Sequence, residues 1–585
     1  MKDFLKMLAA SILGFALVLF IGSFFLFGFL ALVISAGDTA VKTIPNHAIL
    51  QVTFERPLLE QGSANPLSKA VPFGLYQDDG YGYYDWVSAI DRAAEDSRIQ
   101  MIYLNTNYLD ASISHIVELR EALTRFRTSG KAVIAYADSY SQAGYYLATA
   151  ADKVYLNPQG GIDLRGFAIS VRYYKGLMEE LGVEAQLIRH GKYKSGGEPF
   201  MQKQMNEEER TQLALFLQSA WECWADEMSA SRQINLKTMN EVADKTGCAN
   251  GEEAVELHFI DQLFYKDELI EHLCKLQNVK SEKQLRTIDM QSYSAQKAVS
   301  RAKDKVVVLF AHGTIHLGKG SQNIMSDDYV RTIRRLRADS SVKAVVLRID
   351  SQGGDAAAAA VIHRELQLLS EVKPLIVSLG DNAASGGYWI ACTGDYIFGA
   401  HASLTGSIGA YAIAWNGQKG LSKWLKINVE TVRTHPSSDI GSIYRPLNTA
   451  ELAIIQRGID EVYHQFVSTV SQNRGLSFEE TDALAQGRIW SGGDAQKRGL
   501  IDQIGGLYDA IRYAAHSVGT TDYQIVEYPS ISTFWDRMKQ TVSAQSRSTF
   551  PPDPQKWVEE IENALLQEAQ TGIQAKVPFL FKLNF

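Results

Sequence analysis

Two halves of this 585-residue chain repeat each other 243 positions apart, and that duplication constrains the fold more than any other feature. Val87, Ile90, Arg92, Asp96, Ser97 and Leu104 return as Val330, Ile333, Arg335, Asp339, Ser340 and Leu347. Asp138, Gly144, Tyr145, Ala148, Asp152 and Gly166 return as Asp381, Gly387, Tyr388, Ala391, Asp395 and Gly409. One slip of a residue is needed near position 120, and "GEEAVELHFIDQL" (251–263) returns as "GGDAQKRGLIDQI" (492–504) at an offset of 241. A unit this long far exceeds a solenoid repeat, so it reads as two domains of one fold.

Within each copy, β-branched runs alternate with helical stretches. "KAVVLRI" (343–349), "PLIVSLG" (374–380) and "DYIFGA" (395–400) are near-continuous apolar runs. Between them lie "DDYVRTIRRLRAD" (327–339) and "AAAAAVIHRELQLLSE" (356–371). That alternation predicts an α/β fold with a buried, largely parallel sheet in each domain. A long helix is expected over 448–475, where apolar residues recur three and four apart. The expected domains are a first repeat over 46–300, a second over 301–545, and a tail over 546–585 whose segment 548–574 predicts one amphipathic helix.

The N-terminus carries a further expectation. Residues 7–37 hold no charged side chain, a run of 31. A membrane-crossing helix needs about 20 apolar residues, whereas a cleavable signal has an apolar region of only about 7–15. A transmembrane anchor is therefore expected at 7–37. Lys2 and Lys6 would keep residues 1–6 in the cytoplasm by the positive-inside rule, leaving the rest of the chain outside it.

A net charge of −8 and the lack of a dense basic run argue against nucleic-acid binding. Cys223, Cys248, Cys274 and Cys392 are too scattered for a zinc pattern or a disulfide framework and are expected as free, mostly buried thiols. No metal or cofactor is expected. "GTIHLGKGS" (313–321) nearly spells a phosphate-binding loop, but Gly320 stands where Ser or Thr must follow the lysine.

Chemistry should sit where matching copies diverge. Ser385, in "NAASGGYW", corresponds to Gln142 in the first copy, and "DSQGGD" (350–355) to "NYLDAS" (107–112), which lacks both glycines. A nucleophile and a Gly-Gly turn thus occur together, and only in the second copy. Acyl transfer needs that combination: an attacking hydroxyl and backbone N–H donors for the oxyanion. The N–H groups of Gly354 and Gly386 are the natural donor pair. None of His312, His316, His363, His401 and His435 has a carboxylate at a diagnostic spacing, so no histidine stands out as the base. The first copy instead carries lysines in "RHGKYKSGGEPF" (189–200), where the second has "RTHPSSDIGSIY" (433–444) with none. A Ser–Lys dyad built between the copies would explain both differences, with Lys192 or Lys194 as base. Such a lysine must be neutral, which burial away from carboxylates achieves.

In this order, "YKSGGEPF", "DSQGGD", "NAASGGYW" and "LTGSIG" behind one apolar N-terminal segment resemble signal peptide peptidase A in its long, two-domain bacterial form. The resemblance runs to about residue 520. It implies a tandem caseinolytic-protease/crotonase-like fold and a membrane-anchored serine endopeptidase cutting leftover signal peptides. Motif by motif it makes Ser385 the nucleophile and Lys194, rather than Lys192, the base. It makes Ser407 the residue orienting the lysine, and Gly354 and Gly386 the oxyanion hole. It further implies a homotetramer, apolar peptide substrates, the lipid bilayer as a partner, and a single-pass location in the bacterial inner membrane with the catalytic domains on the periplasmic side. The chain departs from the family pattern at Gln352, where proline is usual. Two other readings stay open: a crotonase-type acyl-thioester enzyme, and a non-catalytic membrane scaffold.

Overall fold

Apolar runs with no polar alternation need cover on both faces, and in this protein they are the central strands of two sheets. The computed structural model describes residues 14–15, 17–24, 28, 43–62, 80–296, 302–320, 323–529 and 574–576.

The first copy runs β1 (Ala48–Thr53), α1 (Tyr83–Glu95), β2 (Ile99–Asn105), α2 (Ile113–Thr128), β3 (Ala132–Ala137), α3 (Gln142–Ala148), β4 (Lys153–Leu156), β5 (Glu184–His190), α4 (Glu207–Arg232), β6 (Gln262–Leu263) and β7 (Thr287–Asp289). Its main sheet has the order β6-β4-β3-β2-β1-β7, and every pairing is parallel. The second copy runs β8 (Lys305–His312), β9 (Ile315–His316), β10 (Ile324–Met325), α5 (Ser326–Ala338), β11 (Val342–Ser351), β12 (Gly353–Asp355), α6 (Ala356–Ser370), β13 (Leu375–Ala384), α7 (Gly386–Ala391), β14 (Tyr396–Gly399), β15 (Leu404–Gly406), β16 (Ala410–Asn416), α8 (Thr449–Arg474), β17 (Ile489–Ser491) and β18 (Gln524–Tyr528). Its main sheet has the order β17-β15-β13-β11-β8-β18, with β14 beside β13; only the β15–β17 pairing is antiparallel. Helices α5 and α6 begin 243 residues after α1 and α2, so the repeat read from side chains is also a repeat of elements.

The two copies are not separate bodies. Val306, Val308, Phe310, Leu507 and Ile511 bury in one apolar cluster with Leu50, Ile90, Leu104 and Val133 of the first copy. A third sheet, of order β10-β9-β12-β19-β16-β5, mixes the copies outright, with β19 being Gln574–Lys576. In it β5 lies antiparallel to β16 from Glu184↔Asn416 to His190↔Ala410. That register carries the segment after β5 to the start of β16.

The membrane expectations do not hold. Among the described residues no helix is long and apolar enough to cross a membrane. Of residues 7–37, those described (14–15, 17–24 and 28) are helical, and the remainder lies outside the described residues. The transmembrane anchor, the bilayer as partner, the inner-membrane location and the membrane-anchored form of the function are therefore not supported. The homotetramer has no support from this chain either. The tail helix expected over 548–574 lies outside the described residues except for Gln574, which opens a strand. The cysteines are free, with Cys248, Cys274 and Cys392 buried and Cys223 half-buried.

Candidate active site

Ser385 sits where β13 ends and α7 begins. Its backbone is at φ 56° and ψ −119°, a region that L side chains avoid because Cβ crowds the backbone. The turn is held by Ser385 N–H, which donates to Gly406 O at 2.8 Å, and by Trp389 N–H, which donates to Ser385 O at 2.9 Å. A sharp strand-to-helix turn with a strained serine at its tip aims the hydroxyl out of the backbone's own hydrogen-bonding pattern. Ser385 is fully buried in the chain.

What faces it is Lys194. The β5–β16 ladder delivers the loop after His190 to the loop 407–409, and Lys194 Nζ lies 2.6 Å from Ser385 Oγ. Nζ also lies 2.8 Å from Ser407 O and 3.0 Å from Ser407 Oγ. A neutral amine has two N–H donors and one lone pair. Ser407 O and Oγ accept from Nζ, and when the amine is neutral its lone pair is the group left to face the Ser385 O–H. Ser407 itself stands at φ 51°, and its N–H donates to Arg488 O at 2.7 Å.

The lysine is 1 % exposed, and burial alone pushes its ammonium pKa well below the ordinary value. The cause is the cost of holding a charge away from water without a carboxylate beside it. The nearest candidate carboxylate in the motif, Glu198, is occupied elsewhere. It is buried, pairs with Arg189 Nη1, and accepts from Asn206 Nδ2 at 2.7 and 2.8 Å. Arg189 also donates to Lys194 O at 2.9 Å, so it braces the loop while neutralising the glutamate.

The lysine's backbone is fixed from the second copy. Tyr193 N–H donates to Gln486 O at 2.9 Å, and Gln212 of α4 bridges the copies by donating to Tyr193 O at 3.1 Å and accepting from Ile489 N–H at 3.2 Å. Gly487, at φ 77°, presses against Lys194 so closely that a Cβ there would stand 2.5 Å from the lysine's own.

Lys192, the alternative base, is exposed, and its Nζ lies 5.1 Å from the Tyr193 ring centroid. His363 Nδ1 is 2.7 Å from Thr393 Oγ1, and burial lowers its pKa to about 4. His312 pairs with Asp350 at 3.3 Å, and His435 is exposed. Among the described residues the side chain hydrogen-bonded to Ser385 Oγ is that of Lys194.

Gly386 follows Ser385 directly, at the first position of α7, and Gly354 lies in β12. The reason for glycine at 354 differs from the expected one. A Cβ there would fall 2.1 Å from Ile315 O, so close packing of β12 on β9 requires the bare backbone. Gly353, at φ 97°, supplies the left-handed turn into β12. Among the described residues no group of acidic, His and Cys side chains could hold a metal ion.

Arg189, Asn206, Gln212 and Gly487 were not singled out from sequence. Glu198 stood within a quoted motif, directly after Gly197, with no role assigned to it. Gln212 and Gly487 act through contacts between the copies, Asn206 through Glu198 eight positions away, and Arg189 through a loop shape five positions before the lysine.

The family model described as peptidase family S49 matches residues 125–280 and 367–521, one stretch in each copy. A model for Clp protease matches residues 296–404. The chain is 33 % identical over 479 residues to Protease 4 of Salmonella typhi, covering 80 % of this chain and 77 % of that protein. It is 32 % identical over 467 residues to Protease 4 of Haemophilus influenzae, covering 77 % and 76 %. It is 31 % identical over 433 residues to the chloroplastic serine protease SPPA of Arabidopsis thaliana, covering 72 % and 64 %.

Proposed function

The chain belongs to peptidase family S49 and is a serine protease of it, and we propose that it cleaves peptide bonds with Ser385 as nucleophile and neutral Lys194 as general base. The observation that carries this reading is the 2.6 Å contact between a buried, carboxylate-free lysine amine and the hydroxyl of a strained serine. In the first step Ser385 Oγ attacks the substrate carbonyl carbon while its proton passes to Nζ. The carbonyl oxygen becomes an oxyanion, for which the Gly354 and Gly386 N–H groups are the proposed donors. The ammonium formed on Nζ then gives its proton to the departing amine. That leaves an ester on Ser385 and a neutral lysine ready to activate water for hydrolysis. Ser407 orients Nζ by accepting its two N–H groups. It thereby directs the lone pair at Ser385 without adding a negative charge that would hold the lysine protonated.

The domain scheme supports the same division of labour. The first repeat, 46–300, supplies the base and the second, 301–545, the nucleophile and oxyanion donors. An acyl-thioester enzyme would not need a lysine kept neutral beside the serine, so the dyad favours peptide hydrolysis.

Hydrolysis of a fluorogenic apolar peptide tests the scheme. Ser385→Ala and Lys194→Ala should each lower kcat by about 10³-fold or more, as loss of a nucleophile or its base does in unit-acting sites. Lys192→Ala should stay within about twofold of the parent, since a surface change away from the site is near neutral. Wild-type turnover in Lys194→Ala would overturn the dyad.

A further inference from the structure

Both proposed oxyanion donors lie against a serine that takes no part in the proton transfers. Ser351 closes β11 and is 2 % exposed. Its hydroxyl donates to Gly313 O at 2.6 Å and accepts from Gly353 N–H at 3.1 Å. The Gly313 loop is tied back in turn: its N–H donates to Asp350 O at 3.0 Å, and Ile315 pairs with Gly354 between β9 and β12. The backbone of Ser351 meets the nucleophile segment. It pairs with Ala383, after a register shift in the β11–β13 ladder between Ile349 and Ser351. A Cβ on Gly387, the residue after Gly386, would stand 2.6 Å from Ser351 O.

The turn beside Ser351 needs such a hold. Gly353, at φ 97°, and Gly354 have no side chains to restrict them, so the peptide between them can rotate. Proline, which would stiffen the approach, is absent at Gln352. What fixes Gly353 N–H is the Ser351 hydroxyl. The duplication supplies the control. At 243 residues' offset Ser351 corresponds to Tyr108, which is 78 % exposed. The copy without the nucleophile and without the Gly-Gly turn therefore also lacks this buried hydroxyl, although it keeps Gly144 where the second copy has Gly387.

We propose that Ser351 is a positioning residue for the oxyanion hole. Its side chain fixes the Gly353–Gly354 turn and its carbonyl packs on the start of α7, so that the Gly354 and Gly386 N–H groups converge on one oxygen. This rests on the reading of Ser385 as nucleophile and of those two N–H groups as donors. Donors aimed at the oxyanion act on the transition state more than on the bound peptide. Loss of the Ser351 hydroxyl therefore falls on kcat and spares KM.

The test compares the full chain with Ser351→Ala on a fluorogenic apolar peptide. Removing an oxyanion donor outright costs about 10²–10³-fold in kcat, so misaiming one should cost about 10- to 100-fold, with KM within about twofold of the parent. The midpoint of the pH–rate profile should not move, because Lys194 is untouched. A peptide aldehyde reads the hole itself. Ser385 Oγ bonds to its carbonyl carbon, the hydroxyl proton passes to Nζ, and the carbonyl oxygen takes the negative charge. Its inhibition constant should rise in Ser351→Ala by the factor that kcat falls. Ser351→Thr, which keeps a hydroxyl, should stay within about fivefold of the parent, and Tyr108→Ala, an exposed change, within about twofold. In the parent chain the Gly353 amide should exchange slowly with solvent. Parental kcat and aldehyde affinity in Ser351→Ala would overturn the proposal. So would equal losses in Ser351→Ala and Ser351→Thr, a loss carried by KM, a shifted pH midpoint, or fast exchange at Gly353, the last needing no variant. Undiminished turnover in Ser385→Ala would instead remove the dyad, and the exchange at Gly353 would still report whether Ser351 holds the turn.

Discussion

At matching positions the two copies solve one local problem in two ways. In the first, α3 begins at Gln142 after an extended Ser141 (φ −70°, ψ 161°) whose side chain caps Gly144 N–H. Gln142 then ties down the following loop: its Oε1 accepts from the N–H groups of Arg165 and Gly166 at 2.9 Å each, and its Nε2 donates to Gly166 O at 3.1 Å. This is a relaxed helix start with a satisfied amide. In the second copy the strand runs on to Ala384, the helix starts one residue later, and Ser385 is held at positive φ between them. Such a residue costs roughly 1–3 kcal/mol and persists only where its surroundings enforce it. The first copy thus uses the turn as structure, and the second accepts strain to present a hydroxyl. The lysine follows the opposite pattern, and the β5–β16 ladder brings the two retained halves together.

Ways to break this contrast differ greatly in size. The largest effect belongs to Ser385→Ala, about 10³-fold or more in kcat, set against Gln142→Ser, which should gain no activity in the Ser385→Ala background because no base faces that turn. Peptide turnover checks both, and rescue by Gln142→Ser would mean the first copy holds a second site. Next comes Arg348, 1 % exposed and bonded to Glu60 at 3.0 Å and Glu118 at 3.2 Å of the first copy. Arg348→Ala removes the cation shared by buried Glu118 and half-buried Glu60, leaving Glu60 with His115 and Glu118 with the Leu507 N–H, and should cost about 3 kcal/mol in denaturant unfolding. An unchanged midpoint would mean the copies do not depend on that cluster.

A smaller effect concerns the cost of the lysine itself. Its pKa is lowered in the folded chain. Between the folded and unfolded values the unfolded chain binds more protons, so stability rises with pH through that window. The penalty is therefore largest below the folded value and is lost as pH approaches the unfolded value. Lys194→Met should be inactive yet more stable near pH 7 by about 1 kcal/mol, with the gain shrinking as pH rises toward 10, as unfolding midpoints at several pH values will show. Smallest is Ser407→Ala. It removes one of two acceptors on Nζ while the Ser407 carbonyl remains, so kcat should fall by only about 10-fold, roughly the worth of one hydrogen bond.

Much of this was legible in the sequence for physical reasons. Buried parallel strands must be apolar throughout, so "KAVVLRI" and "PLIVSLG" announced β11 and β13, and the repeat offset aligned α1 with α5. The divergence at Gln142 and Ser385 pointed at the site, because a turn kept in both copies but changed in chemistry marks where one copy does what the other does not. Ser407 came through resemblance alone: no residue pattern predicts that its carbonyl turns inward at φ 51°. The β5–β16 pairing was not legible, since "EAQLIRH" and "AYAIAWN" find each other only through the packed core. Gln574-Ala575-Lys576 has no strand signature at all, and its pairing depends on the edges of β12 and β16. At the N-terminus, apolar length predicted a spanning helix that the described residues do not contain.

The central claim is that a neutral Lys194 from one copy takes the proton of Ser385 in the other. The most direct measurement is the rate at which a fluorophosphonate labels Ser385 as a function of pH, in the parent chain and in Lys194→Ala. The account predicts labelling that rises with pH through a single group titrating well below the ordinary lysine value, and a loss of about 10³-fold in Lys194→Ala with that titration gone. Labelling of Ser385 at the parent rate and with the parent pH profile in Lys194→Ala would contradict it.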